Sequence, residues 1–269
     1  MTVAPEAETP QEPDESKLIL STRGLTRRFH GFTAVNNVDL AVRRGTIHTL
    51  IGPNGAGKTT VFNLLTKFLQ PSEGSIRFDG RDITLLKPAA VARLGMVRSF
   101  QISAVFPHLT VRQNLRVALM RQAGISFRFW LSERRLSEFD GRAEELLAAV
   151  GLEDCLDIEA VALSYGRKRA LEIATTLALD PHMLLLDEPM AGLGGEDIHR
   201  VTELIRNVAR ERTVLMVEHN LSVVATLSDT ITVLTRGRIL TQGSYAEVSN
   251  DERVREAYLG TGEMGRRHG

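Results

Sequence analysis

The sequence has very little cysteine and no long apolar runs. Its single cysteine, Cys155, cannot form an intramolecular disulfide, and its neighbours Asp154 and Leu156 suggest no metal site. Apolar runs such as residues 183–186 are only a handful of residues long, whereas a membrane-spanning helix needs about 20. We therefore expect a reducing, cytosolic compartment and no segment of this chain that crosses a membrane.

An excess of charge of either sign is also missing. Lysine and arginine together number 33, as do aspartate and glutamate, so the formal net charge is +0 and no overall positive field attracts a polyanion. Nucleic acid is therefore not an expected partner. With 43% hydrophobic and 25% charged residues, the 269-residue chain has a globular composition, and its length fits one folding unit with a subdomain.

Residues 1–17 lack the apolar side chains that would order them. Prolines and carboxylates dominate this stretch, which predicts a disordered acidic tail, and it contains no apolar run like that of a signal peptide. These residues are Pro5, Glu6, Glu8, Pro10, Glu12, Pro13, Asp14 and Glu15.

Short apolar runs alternate with helical patterns along the rest of the chain. The runs that predict strands are residues 41–43, 46–51, 75–79, 183–186, 213–217, 230–234 and 239–242. Because several of them are apolar without alternation, we expect a parallel α/β sheet that is buried on both faces. Between about residues 102 and 180 the pattern is helical, with Thr110 and Gln113 spaced as a capping box and Gly151 placed as a helix terminator.

The strongest motif is GPNGAGKT at residues 52–59, which matches the Walker A pattern between a predicted strand and a predicted helix. In such a loop, backbone N–H groups wrap the phosphates of a nucleotide and the helix N-terminus faces their negative charge. We expect Lys58 to contact the β- and γ-phosphates and Thr59 to bind Mg²⁺. The alternative is an ordinary glycine-rich turn, which matches by chance in roughly one such chain in a hundred. The expected nucleotide-binding residues are Gly52, Pro53, Asn54, Gly55, Ala56, Gly57, Lys58, Thr59 and Thr60.

A helix is expected to begin at this motif. Pro71 and Gly74 mark the end of its pattern. The apolar positions that recur at helical spacing are Val61, Phe62, Leu64, Leu65 and Phe68.

Two adjacent carboxylates end the apolar run of MLLLDEP, residues 183–189. Asp187 is placed to hold Mg²⁺ through water, and Glu188, which faces the other way, is placed to orient and polarise an attacking water. The alternative is a pair of solvated carboxylates that cap the strand. A Walker A loop in the same chain favours phosphoryl-transfer chemistry.

A third motif, LSYGRKRALEIA at residues 163–174, begins with a suitable helix N-cap, Ser164, and continues as an apolar helix. Ser164 and the backbone N–H of Gly166 are candidates for binding phosphate. Serine before glycine at a helix start is common, so an ordinary cap is the alternative. The position of the motif just upstream of the Asp187 strand favours the phosphate site.

Together these motifs resemble the ATPases of ABC transporters over residues 18–260. The resemblance implies an α/β P-loop NTPase core with a mainly parallel sheet, formed by residues 18–101 and 181–245 and including an N-terminal antiparallel β subdomain. It also implies an inserted α-helical subdomain at residues 102–180. Residues 246–269 would form a C-terminal helix and tail.

In that family the serine and glycine of the third motif act on the nucleotide of another subunit. The resemblance therefore implies that Ser164 and Gly166 complete the ATP site of a second cassette in a head-to-tail dimer. Two ATP molecules with their Mg²⁺ would lie between the two cassettes, and Glu188 would serve as the catalytic carboxylate.

The resemblance assigns three further residues. Gln101, in VRSFQ, matches the glutamine that touches Mg²⁺ in the catalytic site and reports the nucleotide state to the permease; outside the family it is a polar loop residue. His219, in MVEHN, matches the switch histidine that contacts the γ-phosphate and Glu188, with a structural histidine as the alternative. Phe29 takes the place of the aromatic that stacks on adenine, with Phe32 as a rival and a core role for Phe29 as the alternative.

The third motif and its surroundings also depart from the family pattern. Tyr165 replaces the first glycine and Arg167 the glutamine of the commonest signature, and Gly194 stands where aspartate or asparagine is usual. Since Ser164 and Gly166 remain, we expect the helix of the third motif, here called the signature helix, to bind phosphate. Gly194 puts hydrogen bonding across the dimer in doubt.

Several stretches resemble importers of branched-chain amino acids, whose relatives carry urea and short amides. They are LGMVRSFQ, FPHLTVRQNL, the insert near residues 127–135 and AYLG at residues 257–260. The resemblance implies a cassette on the inner face of the cell membrane, bound to transmembrane permease subunits and a second, commonly different, cassette, with a solute-binding protein acting indirectly. Phe127, Trp130 and Leu131 repeat at helical spacing and face either the permease or the subdomain core.

Three alternatives to an importer stay open. ATPases of lipopolysaccharide exporters share much of the same sequence. ABC ATPases that act in DNA repair, chromosome organisation or on ribosomes usually carry coiled-coil insertions, tandem cassettes or basic patches, none of which this sequence shows. A nucleotide-binding regulator without turnover is disfavoured by the presence of both Glu188 and His219.

Overall fold

A mainly parallel sheet forms the centre of the computed structural model, which describes residues 15–99, 105–124 and 137–259. Its strands are β4 (Ile47–Ile51), β7 (Met96–Ser99), β8 (Met183–Asp187), β9 (Thr213–Val217), β10 (Thr230–Thr235) and β11 (Arg238–Gly243). They lie in the order β11-β10-β4-β9-β8-β7; β11 runs antiparallel to β10, and the other neighbours are parallel. Every residue of β4 and β9 is buried, including His48 and Thr49 of β4, as expected for a parallel sheet that is covered on both faces.

A second, antiparallel sheet is built from the N-terminal part of the chain. Its strands are β1 (Leu18–Phe29), β2 (Phe32–Val38), β3 (Ala41–Arg43), β5 (Glu73–Phe78) and β6 (Arg81–Asp82). The order is β2-β1-β5-β6, with β3 paired to β1. Glu15–Lys17, at the end of the predicted disordered tail, forms a short 3₁₀ helix, and residues 1–14 lie outside the described residues.

The helices are short. They are α1 (Lys58–Leu65), α2 (Pro88–Arg93), α3 (Val111–Gln122), α4 (Asp140–Ala149), α5 (Tyr165–Leu177), α6 (Gly195–Ala209), α7 (Leu221–Leu227), α8 (Tyr245–Asn250) and α9 (Glu252–Leu259). Within the described ranges, none has the length and apolar content needed to cross a bilayer.

The helical subdomain lies between β7 and β8 in the chain and contains α3, α4 and α5. Leu115, Leu147 and Leu171, one from each helix, are fully buried in a shared apolar cluster. Thr110 and Gln113 form the predicted capping box at the start of α3, which satisfies two backbone N–H groups. The sequence pattern therefore predicted both the helical character and one boundary of this region.

The end of α1 differs from its prediction. The helix ends at Leu65 because Lys67 adopts a left-handed conformation, with φ 65°, and the chain then turns away. The prediction that Phe68 belongs to this helix is therefore wrong, and its side chain is 53% exposed. Thr66 closes the last turn by donating its hydroxyl to the carbonyl of Phe62 over 2.7 Å.

The segment expected to form one C-terminal helix contains two. Helices α8 and α9 meet at Asp251, the C-cap residue of α8, and residues 260–269 lie outside the described part of the chain. Val248 and Tyr258 pack in an apolar cluster with Ile51, the last residue of β4. The C-terminal helices thus support the strand that precedes the Walker A loop.

His48 is a buried histidine in the middle of the central sheet. It is 1% exposed on β4, and its Nε2 shares a hydrogen bond of 2.8 Å with Thr232 Oγ1 on β10. Burial disfavours the charged imidazolium and lowers the pKa of His48 to about 4. The folded protein therefore keeps this side chain neutral where an unfolded chain takes up a proton.

We predict that His48 makes the fold sensitive to acid. Between its unfolded pKa of about 6.5 and its folded pKa of about 4, the unfolded state binds the extra proton, so acidification lowers stability. The free energy of unfolding is measured by urea titration at neutral pH and near pH 4.5. Between these two pH values it should decrease by about 2 kcal/mol less in His48→Gln than in wild type, because glutamine keeps a hydrogen-bonding group but does not titrate. An equal loss in both proteins contradicts this assignment.

Candidate functional site

The predicted chemical motifs lie at one edge of the parallel sheet. Strands β4, β9 and β8 are adjacent and parallel, so their carboxyl ends meet. Val217, the last residue of β9, pairs with Leu50 on one side and Asp187 on the other. The loops after these three strands therefore leave the sheet side by side, where open α/β sheets bind ligands.

The loop after β4 is pressed against its neighbours so closely that two of its glycines, Gly52 and Gly57, are required. A methyl group on Gly52 would lie 2.1 Å from the carbonyl oxygen of Leu234 on β10, and the φ of Gly52 is 151°. A methyl group on Gly57 would lie 2.6 Å from the carbonyl oxygen of Ala34 on β2, at a φ of 102°. Both positions exclude larger residues, so the backbone itself lines the loop.

Lys58 begins α1 and turns back over this loop. Its Nζ donates to the carbonyl oxygens of Gly52, over 2.5 Å, and Pro53, over 3.1 Å. The N-terminus of α1, which includes Thr59 and Thr60, faces the same side with the positive end of its dipole. The Lys58 ammonium group and the helix dipole therefore both place positive potential at the loop where the sequence predicts the phosphates of a nucleotide.

The carboxylates after β8 have different surroundings. Asp187 is 21% exposed and forms an ion pair with Arg98 on β7. Glu188 is exposed and has a φ of 48°, which is uncommon outside glycine. Its backbone N–H donates to the carbonyl of Val217 over 2.9 Å, so the turn is tied to β9.

Arg169 of α5 also binds the turn that follows β8. Its Nη2 donates to the carbonyl of Glu188 over 3.2 Å and its Nε to the carbonyl of Pro189 over 3.1 Å. Its Nη1 pairs with Glu172 over 3.1 Å, although burial still raises the pKa of that carboxyl. The signature helix is thereby connected to the predicted catalytic glutamate within one chain.

Glu218 joins the turn after β8 to the turn after β9. This fully buried carboxylate accepts from the backbone N–H groups of Met190 (3.3 Å), His219 (2.8 Å) and Asn220 (2.9 Å). The imidazole of His219 is 66% exposed, with Nδ1 3.6 Å from Glu218. The predicted contact between His219 and Glu188 stays a prediction.

Ser164 and Gly166 lie at the start of α5, where Ser164 is exposed and Gly166 is buried. Ser164 is the predicted N-cap, and its hydroxyl accepts from the N–H of Arg167 over 3.4 Å. A methyl group on Gly166 would lie 2.2 Å from the carboxylate of Asp197 on α6, so a larger residue there would require the Asp197 side chain to move. Tyr165 is 57% exposed.

Tyr165, Arg167 and Gly194 depart from the common family pattern, and the first two contact neighbouring segments. The Tyr165 ring lies 3.4 Å from the position of a methyl group on Gly192, so the aromatic covers the segment that follows β8. Arg167 forms a 2.7 Å ion pair with Asp154. Gly194 is the N-cap of α6 and offers no side chain for capping.

The predicted adenine platform lies at the tip of the β1–β2 hairpin. Phe29 is 40% exposed, and the guanidinium of Arg27 lies 4.7 Å from its ring centroid, so one ring face is covered. Phe32, the rival, is 64% exposed and pairs directly with Phe29. Gly237 anchors β2 beside the phosphate loop, because its N–H donates to Ala56 and its carbonyl accepts from the N–H of Asn36 on β2.

Gln101 lies outside the described residues, as do Phe127, Trp130 and Leu131. Sequence reasoning also missed three residues that organise the site, namely Arg98, Arg169 and Glu218. Arg98 stands in the same VRSFQ run as Gln101, and Glu218 directly precedes His219. Arg169 lies within the third motif itself, and these positions in or next to motifs are the signal that the sequence carries for the three residues.

The chain matches sequence models of known families. A model described as ABC transporter matches residues 35–191, which is more than half of the chain, and one described as branched-chain amino acid ATP-binding cassette transporter matches residues 238–263. The high-affinity branched-chain amino acid transport ATP-binding protein BraF of Pseudomonas aeruginosa is 40% identical over 255 residues, covering 91% of this chain and 99% of that protein. LivG of Escherichia coli K12, described in the same words, is 40% identical over 257 residues with the same coverage.

Solved structures show the same fold. The ADP conformation of MJ1267, an ATP-binding cassette of an ABC transporter, is similar with a TM-score of 0.79 and 29% identity, covering 90% of this chain and 99% of that one. The predicted P-loop core with a parallel sheet is confirmed by this likeness. Because the family model spans most of the fold and the relatives match over nearly their whole length, this chain belongs to the ABC transporter family of ATP-binding proteins.

Proposed function

We propose that this chain binds ATP with Mg²⁺ and hydrolyses it to drive an ABC importer of branched-chain amino acids. The observation that carries the ATPase part is the convergence of Lys58, Glu188 and His219 at the carboxyl edge of one parallel sheet. The substrate class is supported by the match of residues 238–263 to the branched-chain cassette model and by the 40% identity to BraF and LivG.

The residues of this edge fit a magnesium nucleotide. The close packing at Gly52 and Gly57 makes backbone the lining of the loop, which lets phosphate oxygens approach N–H groups. The Thr59 hydroxyl and the Asp187 carboxylate are hard oxygen ligands of the kind that Mg²⁺ prefers, and Gln101 would add an amide oxygen. Mg²⁺, when bound there, neutralises negative charge on the phosphates.

Glu188 takes the proton in the proposed reaction. Water attacks the γ-phosphorus, the bond from phosphorus to the bridging oxygen breaks with its electrons left on ADP, and the water proton passes to the Glu188 carboxylate. Arg169 and the β9 backbone hold the turn from which this carboxylate projects. Glu218 fixes the neighbouring turn, so that His219 can donate a hydrogen bond to the γ-phosphate.

Ser164 and Gly166 act on the nucleotide of a second cassette in this proposal. Both lie at the start of α5, and the exposed Ser164 hydroxyl and the helix dipole suit a phosphate group. Phe29 offers its uncovered ring face to adenine. The pair of cassettes, identical or different, works on the inner face of the cell membrane beneath transmembrane permease subunits, with a solute-binding protein supplying cargo to the permease.

We predict that Glu188→Gln separates binding from chemistry. Glutamine keeps the size of the side chain but cannot accept the proton, so ATP hydrolysis by the assembled complex should fall at least about 100-fold. Affinity for a fluorescent ATP analogue should stay near the wild-type value. Glu252→Gln, at the exposed start of α9, is the matched control and should leave both quantities unchanged. Retained turnover in Glu188→Gln would remove the proton-accepting role.

The substrate class is tested by uptake in cells that lack this chain. Loss of the gene should abolish energy-dependent uptake of labelled leucine, and wild type but not Glu188→Gln should restore it. Uptake of labelled urea should not change. Normal leucine uptake in the deletion strain, together with a defect in another cargo, would show that the substrate proposal is wrong.

A further inference from the structure

Arg98 is a buried cation at the centre of the site, and the proposed chemistry has not used it. Its side chain is 3% exposed on β7 and forms the ion pair with Asp187 Oδ2. Its Nη1 donates to Asn63 Oδ1 over 2.6 Å, and its guanidinium carbon lies 5.5 Å from the ring centroid of Phe62. Asn63 and Phe62 belong to α1, the helix that follows the phosphate loop.

One guanidinium thus links three elements of the nucleotide site. It contacts the end of β8 through Asp187 and α1 through Asn63 and Phe62, and it belongs itself to β7. A planar fork of N–H donors suits this role, because it serves a carboxylate and an amide at the same time. Its burial makes the pairing strong, since an uncompensated charge in this position is costly.

The ion pair places a fixed positive charge on the carboxylate that the proposed function assigns to Mg²⁺. A guanidinium and a divalent cation that share one carboxylate repel each other, and a partly buried site screens this repulsion less than water does. A cation that is already bound to Asp187 therefore opposes the arrival of the metal. The ion pair also holds the carboxylate in one orientation.

We propose that Arg98 is the resident counter-ion of Asp187 and sets the Mg²⁺ concentration at which the site takes up its metal-bound nucleotide. This inference rests on the proposed ATP site. It makes Arg98 a positioning residue that acts through Asp187 and α1.

The test is a Mg²⁺ titration of nucleotide binding. The purified full-length chain, at a fixed concentration of fluorescent ATP analogue, is titrated with Mg²⁺, and the half-saturating Mg²⁺ concentration is compared between variants. Arg98→Lys keeps the charge and Arg98→Met removes it while keeping a long side chain over Phe62. Arg93→Met, on the exposed face of α2, is the matched control.

The half-saturating Mg²⁺ concentration should fall about 10-fold in Arg98→Met, which corresponds to about 1.4 kcal/mol, and change less than about 2-fold in Arg98→Lys and Arg93→Met. An unchanged or higher Mg²⁺ requirement in Arg98→Met overturns the proposal. If Arg98→Met does not fold, Arg98→Gln supplies the same test, because glutamine also removes the positive charge while keeping a polar side chain with N–H donors. The half-saturating Mg²⁺ concentration should then also fall, and an unchanged concentration overturns the proposal.

Lys58→Ala separates this inference from the proposed function. If wild type binds no nucleotide at any Mg²⁺ concentration, or binds it no better than Lys58→Ala, the ATP site itself is wrong. If wild type binds and Lys58→Ala does not, the site stands and the Arg98 variants decide the role of the counter-ion alone.

Discussion

Parallel pairing of β4, β9 and β8 brings the phosphate loop, the Asp187–Glu188 turn and the His219 turn to a single edge. Three segments that are far apart in the chain then leave the sheet as neighbours, and Val217 is the common point of their register. Parallel pairing of β4 with β10 on its other side presses the exit of β4 against β10, so that Gly52 meets the Leu234 carbonyl. The shape of the phosphate loop follows from this packing as much as from its own glycines.

Two buried ions, Arg98 and Glu218, and the partly buried Arg169 connect the turns that the sheet brings together. Arg98 joins β7 to Asp187, Arg169 joins the signature helix to the carbonyl of Glu188, and Glu218 joins the two turns after β8 and β9. Each is paired or fully hydrogen-bonded, as buried charge must be. His219 and Ser164, in contrast, are exposed. In the proposed mechanism His219 contacts the nucleotide of its own cassette, and Ser164 contacts the nucleotide of a second cassette.

The sequence predicted those features that depend on local pattern. The Walker A loop is a contiguous motif, β8 and β9 contain runs of four apolar residues, and the Thr110–Gln113 capping box spans one helical turn. Prediction failed where a distant contact or a single dihedral angle decides the outcome. Phe68 keeps helical spacing but lies beyond the left-handed Lys67, where the helix has already ended.

The organising residues of the site are of the same long-range kind. Nothing near Arg98 in the sequence indicates that its partners are Asn63 and Asp187, because strand pairing alone brings them together. Arg27, which covers one face of Phe29, was likewise not evident as a neighbour of an adenine platform. Family resemblance supplied roles for Gln101 and His219 that no pattern in this chain specifies on its own.

The central claim is that the ATP edge of this chain drives a membrane transporter, and the most direct measurement is capture of its partners. Tagged Glu188→Gln, which should hold ATP without hydrolysing it, is trapped with ATP in native membranes, and the proteins that purify with it are identified. The account predicts hydrophobic permease chains together with a second cassette and a solute-binding protein. Recovery of only soluble or nucleic-acid-bound partners would contradict it.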